Sequence, residues 1–194
     1  MLLLLISVLF VAIVNGLQEA VIFTFEIPQK RDGRFVYDLI TSSPPLDVNS
    51  RYAYFLLCDH FASSSIICRE ASDDEKVIGF VGGYRKPTDP ETLFVWQIAV
   101  DEKHRGKGLP AMMLDKMLQV HNPVTITSIE ATYTPSNKAS YHFFTKYAKA
   151  KQALANIDDY LSADDFGSST GHEEEKLIKI FLTPMPTTMK NKEK

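Results

Sequence analysis

An α/β domain is the fold this sequence predicts, and three observations predict it. The run Leu93-Phe94-Val95-Trp96-Gln97-Ile98-Ala99-Val100 is apolar and β-branched over about eight residues, the pattern of a buried strand. A charged turn and Arg105-Gly106-Lys107-Gly108 follow it, then a helix-like run from Ala111 to Val120. Strand-like and helix-like stretches alternate along the rest of the chain without repeats or linkers, so one domain is the economical reading.

Taken in order, Phe23, Phe25 and Ile27 alternate with polar residues as a first strand. Arg31 to Thr41 reads as a helix closed by Ser42-Ser43-Pro44-Pro45. Leu46 to Asn49 is a loop, with Asp47 or Asn49 as N-cap of a second helix from about Ser50 to Phe61. Ser64–Arg69 and Val77–Tyr84 form a hairpin around Ser72-Asp73-Asp74-Glu75, and Pro87 and Pro90 bound a loop into the next strand. A strand at about Thr127–Thr132 and a helix at about Asn137–Lys149 come after the glycine loop and its helix. Leu154 to Gly171 is polar with no clear periodicity and reads as irregular, Leu177 to Leu182 is a final strand, and 184–194 is a polar tail.

Composition excludes several classes. The 194 residues suffice for one core, and 45% apolar with 23% charged residues is ordinary for a soluble domain. A net charge of −3 with no Lys/Arg stripe argues against a nucleic-acid surface. Cys58 and Cys68 make no disulfide framework or zinc spacing, and the histidines are scattered, so no metal is expected. Residues 1–16 conflict with the soluble picture. They are a hydrophobic extension too short to span a bilayer and without a basic leader. A targeting signal, an anchor and a misassigned start remain open for them, and membrane contact is expected only if the extension is retained.

The glycine loop carries the most specific chemistry. Backbone N–H groups at a helix N-terminus favour phosphate, Gly106 and Gly108 permit positive φ or close approach, and Arg105 and Lys107 add charge. This strand, loop and helix resembles the GNAT superfamily of acetyl-CoA-dependent N-acetyltransferases, whose pyrophosphate loop reads Arg/Gln-x-x-Gly-x-Gly/Ala. Pro110 departs from the pattern by offering no N–H, a loss tolerated in a first helical turn. The resemblance implies a single mixed central sheet flanked by helices over about residues 21–183. It implies acetyl-CoA as co-substrate, held by Ile98, Ala99, Val100, Arg105, Gly106, Lys107, Gly108, Leu109 and Asn137. The tyrosine that protonates the leaving thiolate in many members is here Phe144, and Tyr147 lies ~300° further round the helix.

Five further segments resemble one GNAT family, the L-2,4-diaminobutyrate acetyltransferases of ectoine biosynthesis, over about Val21 to Leu182. They are Leu46-Asp47-Val48-Asn49-Ser50-x-Tyr52-x-Tyr54-x-Leu56-Leu57-Cys58, Gly79-Phe80-Val81-x-Gly83-Tyr84-Arg85, Leu93-Phe94-Val95-Trp96-Gln97, Thr134-Pro135-x-Asn137-x-Ala139-Ser140 and Gly171-His172-Glu173-x-Glu175. The implied reaction is acetylation of the γ-amine of L-2,4-diaminobutyrate by a cytoplasmic enzyme. A homodimer is implied too, with the second half of the chain as contact region.

The residues make chemical sense for such a substrate. A diamino acid needs an anion for each ammonium and donors for its carboxylate. Asp47, Asn49, Tyr52, Tyr54, Trp96, His172 and Glu175 supply carboxylates, hydroxyls, an imidazole and an aromatic wall. Each has a plainer alternative: Asp47 as a helix cap, Tyr52, Tyr54 and Trp96 as packing, His172 as structural, Glu173–Glu175 as a solvated charge run. Glu175 or His172 is the expected base and Asp47 the α-ammonium partner, although Asp47 and Glu175 could exchange roles. Cys58 lies in an apolar helical run without an activating histidine and is not the expected nucleophile. Another small-amine acetyltransferase and a non-catalytic, membrane-attached acyl-CoA-binding protein stand as alternatives.

Overall fold

The computed structural model describes residues 10–11, 22–73, 75–120, 126–167 and 171–182. Its strands are β1 (Phe10–Val11), β2 (Ile22–Glu26), β3 (Ser65–Glu70), β4 (Gly79–Lys86), β5 (Asp89–Val100), β6 (Ser128–Tyr133), β7 (Leu154–Leu161) and β8 (Glu175–Phe181). The helices are α1 (Gly33–Thr41), α2 (Arg51–Asp59), α3 (Leu109–Val120) and α4 (Lys138–Ala150). One mixed sheet runs β1-β2-β3-β4-β5-β6-β8-β7, parallel only between β5 and β6 among the described ladders. The expected extension at 1–16 and tail at 184–194 lie outside the described residues, except that Phe10–Val11 pairs with Ile22 and Phe23.

The chain divides into two compact units. The first, Met1–Gly83 with Gln97–Asn122, is built on the β2-β3-β4 meander, with register Phe23↔Glu70 to Glu26↔Ile67 on one side of β3 and Ser65↔Gly82 to Cys68↔Gly79 on the other. Val36, Leu39 and Ile40 of α1 and Tyr54, Leu57 and Cys58 of α2 recur at helical spacing and close on Ile67, Phe80 and Ala99. Inside this unit Arg69 of β3 meets Asp32, just before α1, at 2.6 Å, with both side chains almost wholly withdrawn from solvent.

The second unit, Tyr84–Trp96 with Pro123–Lys194, holds the parallel ladder from Thr92↔Ser128 to Val95↔Ala131 and the antiparallel β6-β8-β7 ladders. Leu93, Val95, Ile129, Ala131, Ile178 and Ile180 are buried on alternating positions. Phe144, Tyr147 and Ala148 form the buried stripe of α4. Glu130 is buried on β6, where Lys86 donates to it at 2.7 Å and Lys179 at 3.0 Å. Burial pushes its carboxyl up, but the two ammonium groups outweigh that and hold it below the usual glutamate range. A depressed carboxyl contributes stability above its ordinary value of 4.5, lost as pH falls through the lower folded value. Glu130→Gln is therefore expected to flatten the acid limb of a pH–stability curve measured by urea unfolding.

Three expectations are corrected. Pro87 and Pro90 do not bound a loop: Lys86-Pro87-Thr88-Asp89 turns tightly, and Pro90 sits near the start of β5, with its carbonyl accepting from Arg85. Leu154–Leu161 is not irregular but the edge strand β7, exposed along almost its whole length. The Leu93–Val100 run is not buried on both faces, since Trp96 is 40% exposed and Phe94 half-buried between buried Leu93, Val95 and Gln97.

Candidate active site

In the first unit the end of β5 leads through a short 3-10 turn, Glu102–His104, into the glycine loop. Asp101 caps that turn by accepting from the Lys103 N–H. Arg105 is extended, and its Nε donates back to the Val100 carbonyl at 3.3 Å. Gly106 and Gly108 have φ of 78° and 77°, the left-handed region that other residues rarely adopt. A Cβ at either would meet nothing within 4 Å, so backbone conformation rather than crowding within the chain requires glycine. The helix begins at Leu109, two residues earlier than the expected Ala111, which puts Pro110 in its first turn. Leu109 is fully buried and anchors the helix, while Arg105 to Gly108 stay exposed; the Arg105 N–H donates to the Glu102 carbonyl, so it is the Gly106–Gly108 backbone that faces an anion. Gly108→Val is expected to raise KM for the anionic co-substrate about tenfold or more with little change in kcat, as steady-state kinetics would show.

Also in the first unit, the Leu46–Ser50 segment is held from three sides. Ser50, not Asp47 or Asn49, caps α2: its hydroxyl accepts from the Ala53 N–H at 3.3 Å. The Asn49 N–H donates to the Tyr54 hydroxyl at 3.1 Å, and Gln97 Nε2 donates to the Asp47 carbonyl at 2.7 Å. Relieved of capping, the Asp47 carboxylate is exposed, and so is Tyr52 at 70%. Tyr54, also expected among the binding residues, is fully buried against Tyr37, and its hydroxyl supports the loop from beneath. Sequence reasoning missed the role of Gln97. The polar residue inside an apolar strand was its one available signal.

In the second unit the turn before α4 and the segment before β8 are tied together, since Glu173 accepts from the Ser136 N–H at 3.1 Å. Asn137 Oδ1 accepts from the Ser140 N–H, so the residue expected beside the co-substrate is the N-cap of α4. His172 stacks on Phe166 at 3.9 Å between ring centroids, and its Nδ1 lies 2.7 Å from the Glu173 carbonyl. A carbonyl can only accept, so Nδ1 carries the hydrogen and Nε2 is the basic nitrogen. Glu174 is paired with Lys176 at 2.7 Å, which leaves the three-carboxylate run divided by role. Glu175, half-buried, opens β8 opposite Leu161. Phe144 and Tyr147 are both buried, so neither serves as an exposed acid. In the first unit the Cys58 and Cys68 thiols are buried and pushed up to about 12, chiefly by burial, which makes neither a nucleophile near neutral pH. Among the described residues no cluster of His, Cys, Asp or Glu could hold a metal ion, and no helix is long and apolar enough to cross a membrane.

A strand running into a positive-φ glycine loop and a helix, in a mixed sheet, is the arrangement found in acetyltransferases. The model of the acetyltransferase (GNAT) family matches residues 34–148, and the chain belongs to that family. Within it the chain belongs with the L-2,4-diaminobutyric acid acetyltransferases. It is 41% identical to that of Virgibacillus pantothenticus over 154 residues, covering 79% of this chain and 94% of that one. It is 40% identical to that of Halomonas elongata over 154 residues, 79% and 78% of the two chains. Among solved structures it matches the diaminobutyrate acetyltransferase EctA of Paenibacillus lautus in complex with L-2,4-diaminobutyric acid and coenzyme A, with a TM-score of 0.77, 35% identity, and coverage of 83% and 95%. Ard1 of Thermoplasma volcanium, 17% identical with a TM-score of 0.64 over 83% of this chain and 99% of that one, shares the fold.

Proposed function

We propose that this enzyme transfers the acetyl group of acetyl-CoA to the γ-nitrogen of L-2,4-diaminobutyrate, giving N-γ-acetyl-diaminobutyrate, a step of ectoine biosynthesis. The observation that carries the reading is the likeness to the Paenibacillus lautus enzyme solved with that diamino acid and coenzyme A, 35% identical over 83% of this chain.

The chemistry follows from the substrate. An alkyl ammonium with pKa near 10.4 is only ~0.1% neutral at pH 7, and removing its proton costs ~4–5 kcal/mol. The site must therefore take that proton. In our reading Glu175, or His172 through Nε2, accepts it as the γ-nitrogen forms its bond to the thioester carbon. The C–S bond then breaks and the CoA thiolate leaves. Past its ladder with β6, β5 continues to Val100, and backbone groups of Ile98, Ala99 and Val100 polarise the thioester carbonyl. Arg105, Gly106, Lys107, Gly108 and Leu109 hold the pyrophosphate, and Asn137 aligns the pantetheine arm. Asp47 and Asn49 receive the α-ammonium and carboxylate, with Tyr52 and Trp96 as walls. An α-nitrogen kept charged by Asp47 stays unreactive, which directs acetyl to the γ-position.

The same reading takes the enzyme to be a cytoplasmic homodimer, with the second half of the chain as contact region. The test is thiol release from acetyl-CoA with L-2,4-diaminobutyrate, ornithine, lysine and spermidine. Preference for diaminobutyrate with acetyl on the γ-nitrogen is expected. Activity on a different amine, or tight CoA binding with no turnover, overturns it.

A further inference from the structure

His104 sits one residue before the glycine loop and is 8% exposed. Both of its ring nitrogens face carboxylates. Nδ1 lies 2.9 Å from Asp101 Oδ1, and Nε2 contacts Glu70 Oε1 at the end of β3. A carboxylate only accepts, so only the doubly protonated, cationic ring donates to both; a neutral ring turns a lone pair on one of them. Links from this ring tie the segment that enters the loop to β2, β3 and the residue before β4. Asp101 also accepts from the Lys103 N–H, and its own N–H donates to the Ile78 carbonyl. The His104 N–H donates to the Asp101 carbonyl. Phe23 of β2 stands edge-on to the imidazole, and Lys107, a loop residue, lies over the same Phe23 ring at 5.4 Å.

We propose that protonated His104 is a positioning residue that clamps the glycine loop in its CoA-binding shape, and that loss of its proton loosens CoA. The proposal rests on the reading of Arg105–Leu109 as the CoA loop. The charged and titratable groups around the ring, among the described residues, come from three segments. On its own segment are Asp101, Glu102, Lys103, Arg105 and Lys107; Glu70 faces it from β3. From the turn before β4, Lys76 pairs with Asp101 at 3.4 Å, while Asp73 lines the same small cleft as Glu70, Lys76 and His104. Burial would raise the Asp101 carboxyl, but hydrogen bonds from His104 and the Lys103 N–H, with Lys76 nearby, hold it below the usual range. Asp101 thus remains an acceptor when the ring gives up its proton, and that proton goes to solvent.

The experiment is calorimetric titration of the full chain with CoA alone, between about pH 6 and about pH 9. It compares wild type with His104→Gln and Glu70→Gln. CoA's own phosphate and thiol ionisations occur with every protein and cancel in the ratios. His104→Gln is expected to bind CoA about tenfold more weakly at the acid end, converging on wild type at the alkaline end. Glu70→Gln supplies an amide N–H to a neutral ring, so it is expected to keep tight binding as pH rises. A His104→Gln ratio constant with pH would reduce the residue to a structural part, and a ratio of one throughout would remove it from the site; either overturns the proposal. Should His104→Gln not fold, the Glu70→Gln profile decides alone, and a wild-type pH dependence in it overturns the clamp. CoA binding needs no amine, so the result is independent of which amine the enzyme acetylates. Wild-type protein that bound no CoA would overturn the loop assignment itself.

Discussion

Glu175→Gln is expected to lower kcat for diaminobutyrate acetylation by about 10²–10⁴-fold while leaving KM for acetyl-CoA within a few-fold of wild type. The amide keeps the size of the side chain and removes its capacity to take a proton, so the loss falls on the step in which the γ-nitrogen is deprotonated. Steady-state rates as a function of pH make the assignment. If the base is Glu175, rates with the variant rise with solution pH, because solvent then supplies the neutral amine. If His172 takes the proton, His172→Ala shows that behaviour instead. Asp47→Asn is expected to act differently, raising KM for the diamine and letting acetyl appear on the α-nitrogen. Wild-type turnover and regioselectivity in both carboxamide variants would defeat the mechanism.

Asp32→Ala is expected to destabilise the protein by about 3–5 kcal/mol, because it strands a guanidinium where water does not reach. Arg69 donates to Asp32 Oδ1 at 2.6 Å, the Gln29 N–H donates to Oδ2 at 2.7 Å, and Arg69 Nη1 has no further acceptor among the described residues. Removing Asp32 therefore leaves a buried cation uncompensated and unties the entry to α1. Against a typical total of about 5–15 kcal/mol this is a large fraction. For a chain of this size it corresponds to a fall in Tm of about 6–20 °C by calorimetry. Asp32→Leu combined with Arg69→Met should recover most of the loss, since a matched apolar pair has no charge to desolvate. A fall in Tm of equal size in the double variant would mean that the ion pair is not what matters there.

How far the sequence reveals this molecule depends on whether a residue's role is local. The glycine loop is legible because its strand, positive-φ glycines and helix start are contiguous, and Gly106 and Gly108 adopt the conformations their identity implies. The helices are legible because burial imposes their period. β7 is not, since it is exposed on nearly all positions and no core selects an alternation; its pairing with β8 is a matter of backbone hydrogen bonds that any side chain permits. The α2 cap is not legible because three candidate caps lie within four residues, and Ser50 wins by geometry. Of the residues proposed for the site, Asp47, His172 and Glu175 stand in recognisable segments. The roles of Gln97, although it ends one of those segments, and of His104 are not legible, because what defines them is a partner 50 or 34 residues away: the Asp47 carbonyl for one, Glu70 for the other.

The Lys86–Glu130–Lys179 triad of the second unit has a consequence for ionic strength. Counterions screen charges they can approach, over about 3 Å at molar salt, and the Glu130 carboxylate is nearly out of their reach. Exposed pairs such as Lys30–Asp59 and Arg51–Asp38 fade as salt rises, whereas this triad and the Arg69–Asp32 pair keep most of their strength. Each unit thus holds at least one ion pair that brine barely reaches, and that part of its electrostatic support is expected to persist in an osmotically stressed solution as in a dilute one.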